Sequence, residues 1–476
     1  MQNSFIIIGL GFGDEGKGTI TDYLVHKYKI KTVIRFNGGS QAAHNVVTPE
    51  GLWHTFSQFG SGTFYKENQT FLSSQMLLDP YALLEEESVL KRKGITNAMN
   101  RLILDPNSPV ITPFHKMLGR VTEIERGKER LGTTGKGIGQ VVQDISKNNK
   151  NTIYIKDFYS KKNLRLKLEL HYQEKLEKAE NTISLNGFTE SKKVLKYFKD
   201  KYNPTKLFNF YNGFANTYSN CIDKKEKTIP NLFKSNSSVL FEGAQGALLD
   251  KDLGFFPYIT KTDTKLSAAE NLYLPFKDTI PVNKIGVLRA YSHRHGNGPL
   301  PTEMQTLSKK IPEEHNVYNE WQEDFRVGWL DLILCRYAIA MNPNLDSIAL
   351  TCLDKLSGFS KIKICTSYKF TGVIEKNLSS VFNFEKIRNE YRITSINPVF
   401  GLEMEDRKKV TEILSQCKPF DFLEFKGWKE NLNEIKFANQ LPKNVKTYLE
   451  FLKSKQGLGL PISILSFGNT RENKFP

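Results

Sequence analysis

Phe5-Ile6-Ile7-Ile8-Gly9-Leu10-Gly11-Phe12-Gly13-Asp14-Glu15-Gly16-Lys17-Gly18 decides how the chain is read. A short apolar run empties into five glycines, two acids and a lysine. The run reads as a strand buried on both faces. The glycines behind it let backbone approach a phosphate where a helix begins. Two motifs overlap here. Gly11-x-Gly13-x-x-Gly16 fits the dinucleotide fingerprint, which also needs an acid after the second strand to hold a ribose. The next strand-like run, Thr32-Val33-Ile34, passes into Arg35-Phe36-Asn37-Gly38-Gly39 with no acid, which disfavours a nicotinamide cofactor. Gly11, Gly16 and Lys17 also satisfy P-loop spacing, but Gly18 stands where Ser or Thr would ligate magnesium. Two uses of Asp14 remain open: metal ligand in place of the missing hydroxyl, or general base.

Working outward, apolar runs ending in glycine or polar loops recur at 5–9, 32–36, 238–243, 284–290, 346–354, 361–365 and 461–468. The segments 79–93, 164–180, 190–199, 329–341 and 445–455 read as helices. Strand runs separated by helices predict an α/β fold, with a large, mostly parallel central sheet flanked by helices and a P-loop-like first turn. One domain over 1–476 is expected, with a Lys/Asn-rich helical excursion at about 145–235.

The formal charge of +16, from 67 Lys+Arg against 51 Asp+Glu, suits an anionic partner. The excess lysines cluster between Lys147 and Lys234, mixed with Glu and Asn and without Arg/aromatic interleaving, so a solvated surface is expected rather than nucleic-acid binding. Five widely spaced cysteines, with no C-x-x-C, predict a reducing compartment and no zinc site. Neither a signal peptide nor a transmembrane span is expected, which points to the cytoplasm.

Most of the later polar clusters fall directly after strand runs. They are Arg35 to His44, Leu131-Gly-Thr-Thr134-Gly-Lys-Gly-Ile-Gly139, Phe241-Glu-Gly-Ala-Gln245-Gly-Ala-Leu-Leu-Asp250 and Gly296-Asn-Gly-Pro-Leu-Pro-Thr-Glu303. Taken in order with Gly13-Asp-Glu-Gly-Lys-Gly18, they resemble the adenylosuccinate synthetase family from Ile6 to Arg471. That resemblance implies a GTP-binding ligase fold. The implied reaction joins L-aspartate to IMP, with GTP as co-substrate and Mg2+, through a 6-phosphoryl intermediate in purine nucleotide biosynthesis.

It also implies residue roles. Asp14 matches the base, which also touches magnesium, and His44 matches the acid that stabilises the transferring phosphoryl group. Lys17 matches the lysine on the phosphates, and Ala43 falls where a backbone carbonyl ligates the metal. Gly13, Glu15, Gly16, Gly18, Asp354, Ser466 and Gly468 match GTP-binding positions, Asp354 being the reader of guanine. Cys352 stands where the family usually has a lysine packing on the base. Gln41, Thr134, Gln245 and Thr260 match the 6-oxopurine nucleotide site. Asn148 falls where a partner subunit usually lends an arginine, with Lys147 and Lys150 as nearby cations. A homodimer is implied.

One loop departs from the family. Where Thr-Thr-Gly-Arg-x-Arg usually clamps aspartate, this chain reads Tyr318-Asn-Glu-Trp321-Gln322-Glu323-Asp-Phe325-Arg326. Only Arg326 keeps a cationic side chain, so Trp321, Gln322 and Arg326 are the candidates for the amine substrate. Alternatives are a paralogous ligase using a different amine or 6-oxopurine nucleotide, or a non-catalytic nucleotide-binding homologue.

Overall fold

Phe5 and Ile7 point to one apolar cluster with Ile20, Leu24, Val33 and Leu240, whereas Ile6 and Ile8 point to another with Ile34, Phe241 and Leu350. A strand sandwiched in this way has no polar face, which is why its sequence does not alternate. The computed structural model describes residues 4–235, 237–277, 281–311, 325–435 and 437–476.

In chain order the first strands are β1 (Ser4–Gly9), β2 (Thr32–Arg35), β3 (His44–Val47), β4 (Trp53–Phe56), β5 (Gln69–Leu72) and β6 (Leu102–Leu104). Next come β7 (Val239–Glu242), β8 (Val282–Arg289), β9 (Ser292–His295), β10 (Phe325–Gly328), β11 (Leu330–Asp331) and β12 (Ser347–Thr351). Last are β13 (Lys361–Phe370), β14 (Phe382–Ile387), β15 (Glu390–Ile396), β16 (Lys418–Lys426), β17 (Ile462–Ser466) and β18 (Lys474–Phe475).

Nine of them form the central sheet, in the order β18-β17-β12-β8-β1-β7-β2-β5-β6. Every neighbouring pair is parallel except β17 with β18. β1 lies at the centre, with Phe5 opposite Leu240 on one side and Asn283 on the other. The carboxyl ends of β1, β7, β2, β8 and β12 therefore open on one edge, where ligands of parallel sheets gather. Two two-stranded antiparallel sheets, β3–β4 and β9–β10, stand on that edge.

The run at 361–365 does not join the central sheet. It extends to Phe370 as β13, the middle of a second sheet in which it pairs antiparallel with β15 and β16 and parallel with β11. The helix expected over 329–341 begins only at Leu332, because the Asp331 carboxylate accepts from Leu334 N at 3.1 Å and caps it there. β5 and β6, four and three residues long, carried too little periodicity to be recognised.

Helix α1 (Lys17–Tyr28) follows the glycine loop, and α2 (Pro80–Arg92) starts from an Asp79 cap and Pro80. α3 (Pro113–Glu125), α4 (Ile138–Ser146), α5 (Lys161–Asn186), α6 (Thr189–Lys201) and α7 (Pro204–Thr217) build the lysine-rich side. α5 is longer than the expected 164–180. Ser160 caps its start and Gly187, left-handed at φ 71°, ends it.

Candidate active site

The loop between β1 and α1 is organised by its own acid. Glu15 is fully buried, and its Oε1 accepts from Gly11 N and Gly13 N, both at 2.9 Å, while Lys17 Nζ meets Oε2 at 2.5 Å. Burial opposes ionisation of Glu15, but Lys17 and His293 outweigh it and hold the carboxyl below its ordinary value. The backbone turns through left-handed Gly13, Asp14 and Gly16, at φ 89°, 58° and 95°. A residue other than glycine in that region is uncommon. Outside contacts fix the turn: Arg289 Nε donates to Asp14 O at 2.7 Å, His293 Nε2 contacts Gly13 O at 2.5 Å, and Thr351 Oγ1 donates to Glu15 O at 2.6 Å. The half-buried Asp14 carboxylate makes no hydrogen bond or ion pair among the described residues.

The missing hydroxyl at Gly18 has a steric reason. A Cβ there would lie 2.9 Å from His44 Cβ and 3.1 Å from Asn45 O. The β3 backbone thus packs directly on the first turn of α1 and brings His44, and the exposed Ala43 before it, to the phosphate loop.

His44 is held from behind. Its Nδ1 lies 2.7 Å from Oε1 of Glu242, at the end of β7, and Glu242 also accepts from Ser61 N at 3.0 Å. Burial disfavours a charged Glu242, but His44 and the wholly buried Arg35 beside it bring the carboxyl down to about 2. Burial and then Arg35 lower the His44 pKa, against the pull of Glu242. An ionised Glu242 assigns the ring proton to Nδ1, which leaves Nε2 for a ligand.

The 6-oxopurine candidates converge on a neighbouring wall. Gly38 packs on Ala244, where an added Cβ would come within 2.7 Å, and Asn37 Nδ2 donates to Ala244 O at 3.2 Å and Asp263 O at 2.8 Å. Thr262 Oγ1 lies 3.2 Å from Thr260 Oγ1 and 3.5 Å from Gln245 Oε1. Ile138, at the start of α4, abuts Gly39, and Thr134 lies on the loop leading into that helix. Both amide atoms of Gln41 are buried without a partner. Buried polar atoms are rarely left orphaned in this way.

Asp354 and the 466–470 loop lie beside the first turn of α1. Thr19 Oγ1 donates to Asn469 O at 3.0 Å, and Lys474 Nζ holds Gly468 O at 3.1 Å and Thr470 O at 2.6 Å. Ser466 Oγ lies 3.4 Å from Gly468 O. Burial pushes the Asp354 carboxyl up to about 6.

Trp321 and Gln322 lie outside the described residues. Arg326 is largely engaged within the fold. Its Nε and Nη2 donate to Gly296 O at 3.1 and 2.7 Å, Nη2 also to Gly298 O at 2.7 Å, and Nη1 to Glu303 Oε2 at 2.8 Å. Arg294 is tied to Asn297 O, Pro299 O and Tyr258 O. Phe325 stacks on His293 at 5.6 Å.

Sequence reasoning left Glu242, Arg289 and Arg35 without roles. The position of Glu242 at a strand's carboxyl end, inside Glu-Gly-Ala-Gln-Gly, was the available signal. His115 and His171 form a buried network with Thr112, Asp144 and Lys175, remote from the phosphate loop in sequence and built from α3, α4 and α5.

A family model described as adenylosuccinate synthetase matches residues 6–475. The adenylosuccinate synthetase of Caldanaerobacter subterraneus is 31% identical over 471 residues, covering 98% of this chain and 97% of that protein. That of Clostridium novyi is 32% identical over 473 residues, covering 99% and 98%. The fully ligated adenylosuccinate synthetase of Plasmodium falciparum superposes with a TM-score of 0.77 at 25% identity, covering 99% of both chains.

Proposed function

The chain belongs to the adenylosuccinate synthetase family, a family of carbon–nitrogen ligases, and from that premise we propose how its own residues join L-aspartate to IMP at the expense of GTP. Asp14 accepts the N1 proton of the 6-oxopurine, so that O6 attacks the γ-phosphorus and GDP leaves. The aspartate nitrogen then attacks C6, loses a proton, and phosphate departs with O6. The products are adenylosuccinate, GDP and phosphate.

His44 serves the first step through Nε2. A phosphoryl oxygen arriving there raises the proton affinity of the ring, and Glu242 on Nδ1 balances the imidazolium. Lys17 reaches the phosphates by leaving Glu15. Asp354 accepts from guanine beside Ser466 and Gly468, and Gln41, Thr134, Gln245 and Thr260 hold the 6-oxopurine nucleotide.

The unpartnered Asp14 carboxylate and the backbone carbonyl of Ala43, an exposed residue, are oxygen donors of the kind magnesium takes. When bound, the ion would neutralise charge on the phosphates. A homodimer and a cytoplasmic location belong to the same proposal. No described helix is long and apolar enough to cross a membrane.

The observation that carries the reading is the approach of His44 to Gly18, which brings an acid–base pair and a phosphate loop onto one sheet edge. Phe325 supports a second reading, a different amine: its ring packs on His293 where the family usually has a guanidinium. The test incubates the protein with GTP, Mg2+, IMP and each of a panel of amines, following phosphate release and nucleotide mass. Adenylosuccinate from aspartate confirms the first reading. Turnover only with another amine selects the second, and no GTP turnover with any 6-oxopurine nucleotide rejects both.

A further inference from the structure

A buried cation that none of the roles above uses lies beside Asp354. Lys474 opens β18 opposite Ser466 of β17, and only 5% of it is exposed. Its side chain folds back over the turn of its own hairpin, where Nζ donates to Gly468 O at 3.1 Å and Thr470 O at 2.6 Å. Phe467 N on Asn473 O at 3.0 Å and Thr470 Oγ1 on Asn473 Oδ1 at 2.8 Å close the same turn. Without Lys474, the two loop carbonyls lose the donor that they share.

A lysine is almost never this buried unless it is paired. Lys474 nevertheless forms no ion pair among the described residues, and the two carbonyls take only two of its three donors. Burial lowers its pKa, while Asp22 on α1, and Cys352 and Asp354 just past β12, pull the other way. Asp22 is partly satisfied, since the Tyr65 hydroxyl donates to its Oδ1 at 2.9 Å.

The Asp354 carboxylate makes no ion pair among the described residues. Burial raises its pKa, and the cations that oppose this are Lys355, Lys474 and Arg289. Lys355 is exposed, so solvent screens it. Arg289 spends Nε on Asp14 O at 2.7 Å and Nη1 on the Tyr291 hydroxyl at 2.6 Å. Lys474 alone of the three is both withdrawn from water and tied to the 466–470 loop. A charge withdrawn from water acts more strongly on its neighbours than an exposed one.

We propose that Lys474 is the positioning residue of the guanine site, fixing the carbonyls of the 466–470 loop and supplying Asp354 with a buried counter-charge. It acts through that loop and that carboxylate, away from the reacting atoms. The proposal rests on the guanine reading of Asp354.

The test compares full-length wild type with Lys474→Met, which loses charge and donors, Lys474→Gln, which loses the charge, and Lys474→Arg, which keeps both. GDP binding with Mg2+ is read by calorimetry across pH 5.5 to 8, IMP binding in parallel, and Tm for each variant. Lys474→Met and Lys474→Gln should weaken GDP roughly tenfold at pH 6.5, with IMP affinity held within about twofold. Loss of the cation favours the protonated form of Asp354, so the acid limb of GDP binding should move up by roughly one pH unit in both. Lys474→Arg should keep that limb in place and most of the affinity. A wild-type limb and wild-type GDP affinity in Lys474→Gln overturn the proposal. So does a loss of GDP and IMP affinity by the same factor, in step with a lowered Tm, which is the mark of a merely structural lysine. A wild type that binds no GDP overturns the guanine reading and the proposal with it, whereas normal GDP binding without ligation counts against the ligase reading alone.

Discussion

Gly18 and His44 are in contact across two elements: the Cβ that Gly18 lacks would sit 2.9 Å from the Cβ of His44 and 3.0 Å from its carbonyl carbon. Replacing Gly18 by Ser would restore the usual P-loop residue yet push β3 and its imidazole outward. Overpacking of this kind costs about 1–3 kcal/mol. Gly18→Ser should therefore lower Tm by a few degrees and kcat by at least about tenfold, since small misplacements of catalytic groups are costly. A wild-type kcat in this variant would show that the position of His44 does not limit the reaction.

Glu242→Gln keeps the shape of the side chain and removes the charge behind His44. The imidazolium would lose its counter-ion, so kcat should fall by roughly 100-fold, within the range for general acid catalysis. The change also has a stability signature. Glu242 titrates at about 2 in the folded protein against 4.5 when unperturbed. Its contribution is fully present above 4.5 and is lost as pH falls towards 2. Acid unfolding followed by circular dichroism should be less steep over that interval in the variant than in wild type.

Asp354 has the opposite displacement, up to about 6 from 3.8. Only the ionised carboxylate accepts both guanine donors, and the ionised fraction falls as pH drops below 6. The KM for GTP should rise towards tenfold per pH unit below that value. Asp354→Ala should raise the KM for GTP at pH 8 and abolish this limb. A limb that persists in the variant belongs to another group.

Arg326 spends four hydrogen bonds on Gly296, Gly298 and Glu303. Arg326→Ala should lower Tm and raise the KM for the amine substrate together, because the turn at 296–299 loses its clamp. Arg326→Lys should rescue neither, since a single ammonium does not reproduce the guanidinium fork. A raised KM at unchanged Tm would show a direct role on substrate.

The glycine loop was legible because its conformation demands its residues: φ 89° at Gly13 and 95° at Gly16 leave little else. The parallel strands were legible because burial on both faces forces continuous apolar runs. What escaped was set by partners far away in sequence. His44 and Glu242 are 198 residues apart, and neither local pattern announces the pair. Arg289 gives no sign in sequence that it holds Asp14 O, and Arg326 looks free until the carbonyls of Gly296 and Gly298 are placed around it. The run at 361–365 has the composition of a central strand, and only its pairing with β16 assigns it to the other sheet.

The Glu15 carboxylate occupies two loop amides and the lysine, so the loop holds a resident anion of its own. Little ordering of backbone is left for nucleotide binding to accomplish, which removes an entropic penalty. A small free anion meets a neutralised cradle and gains little by entering. A triphosphate, bringing more charge than one carboxylate, is able to draw Lys17 across. On the proposed reading, the loop would select a ligand by charge density as well as by shape.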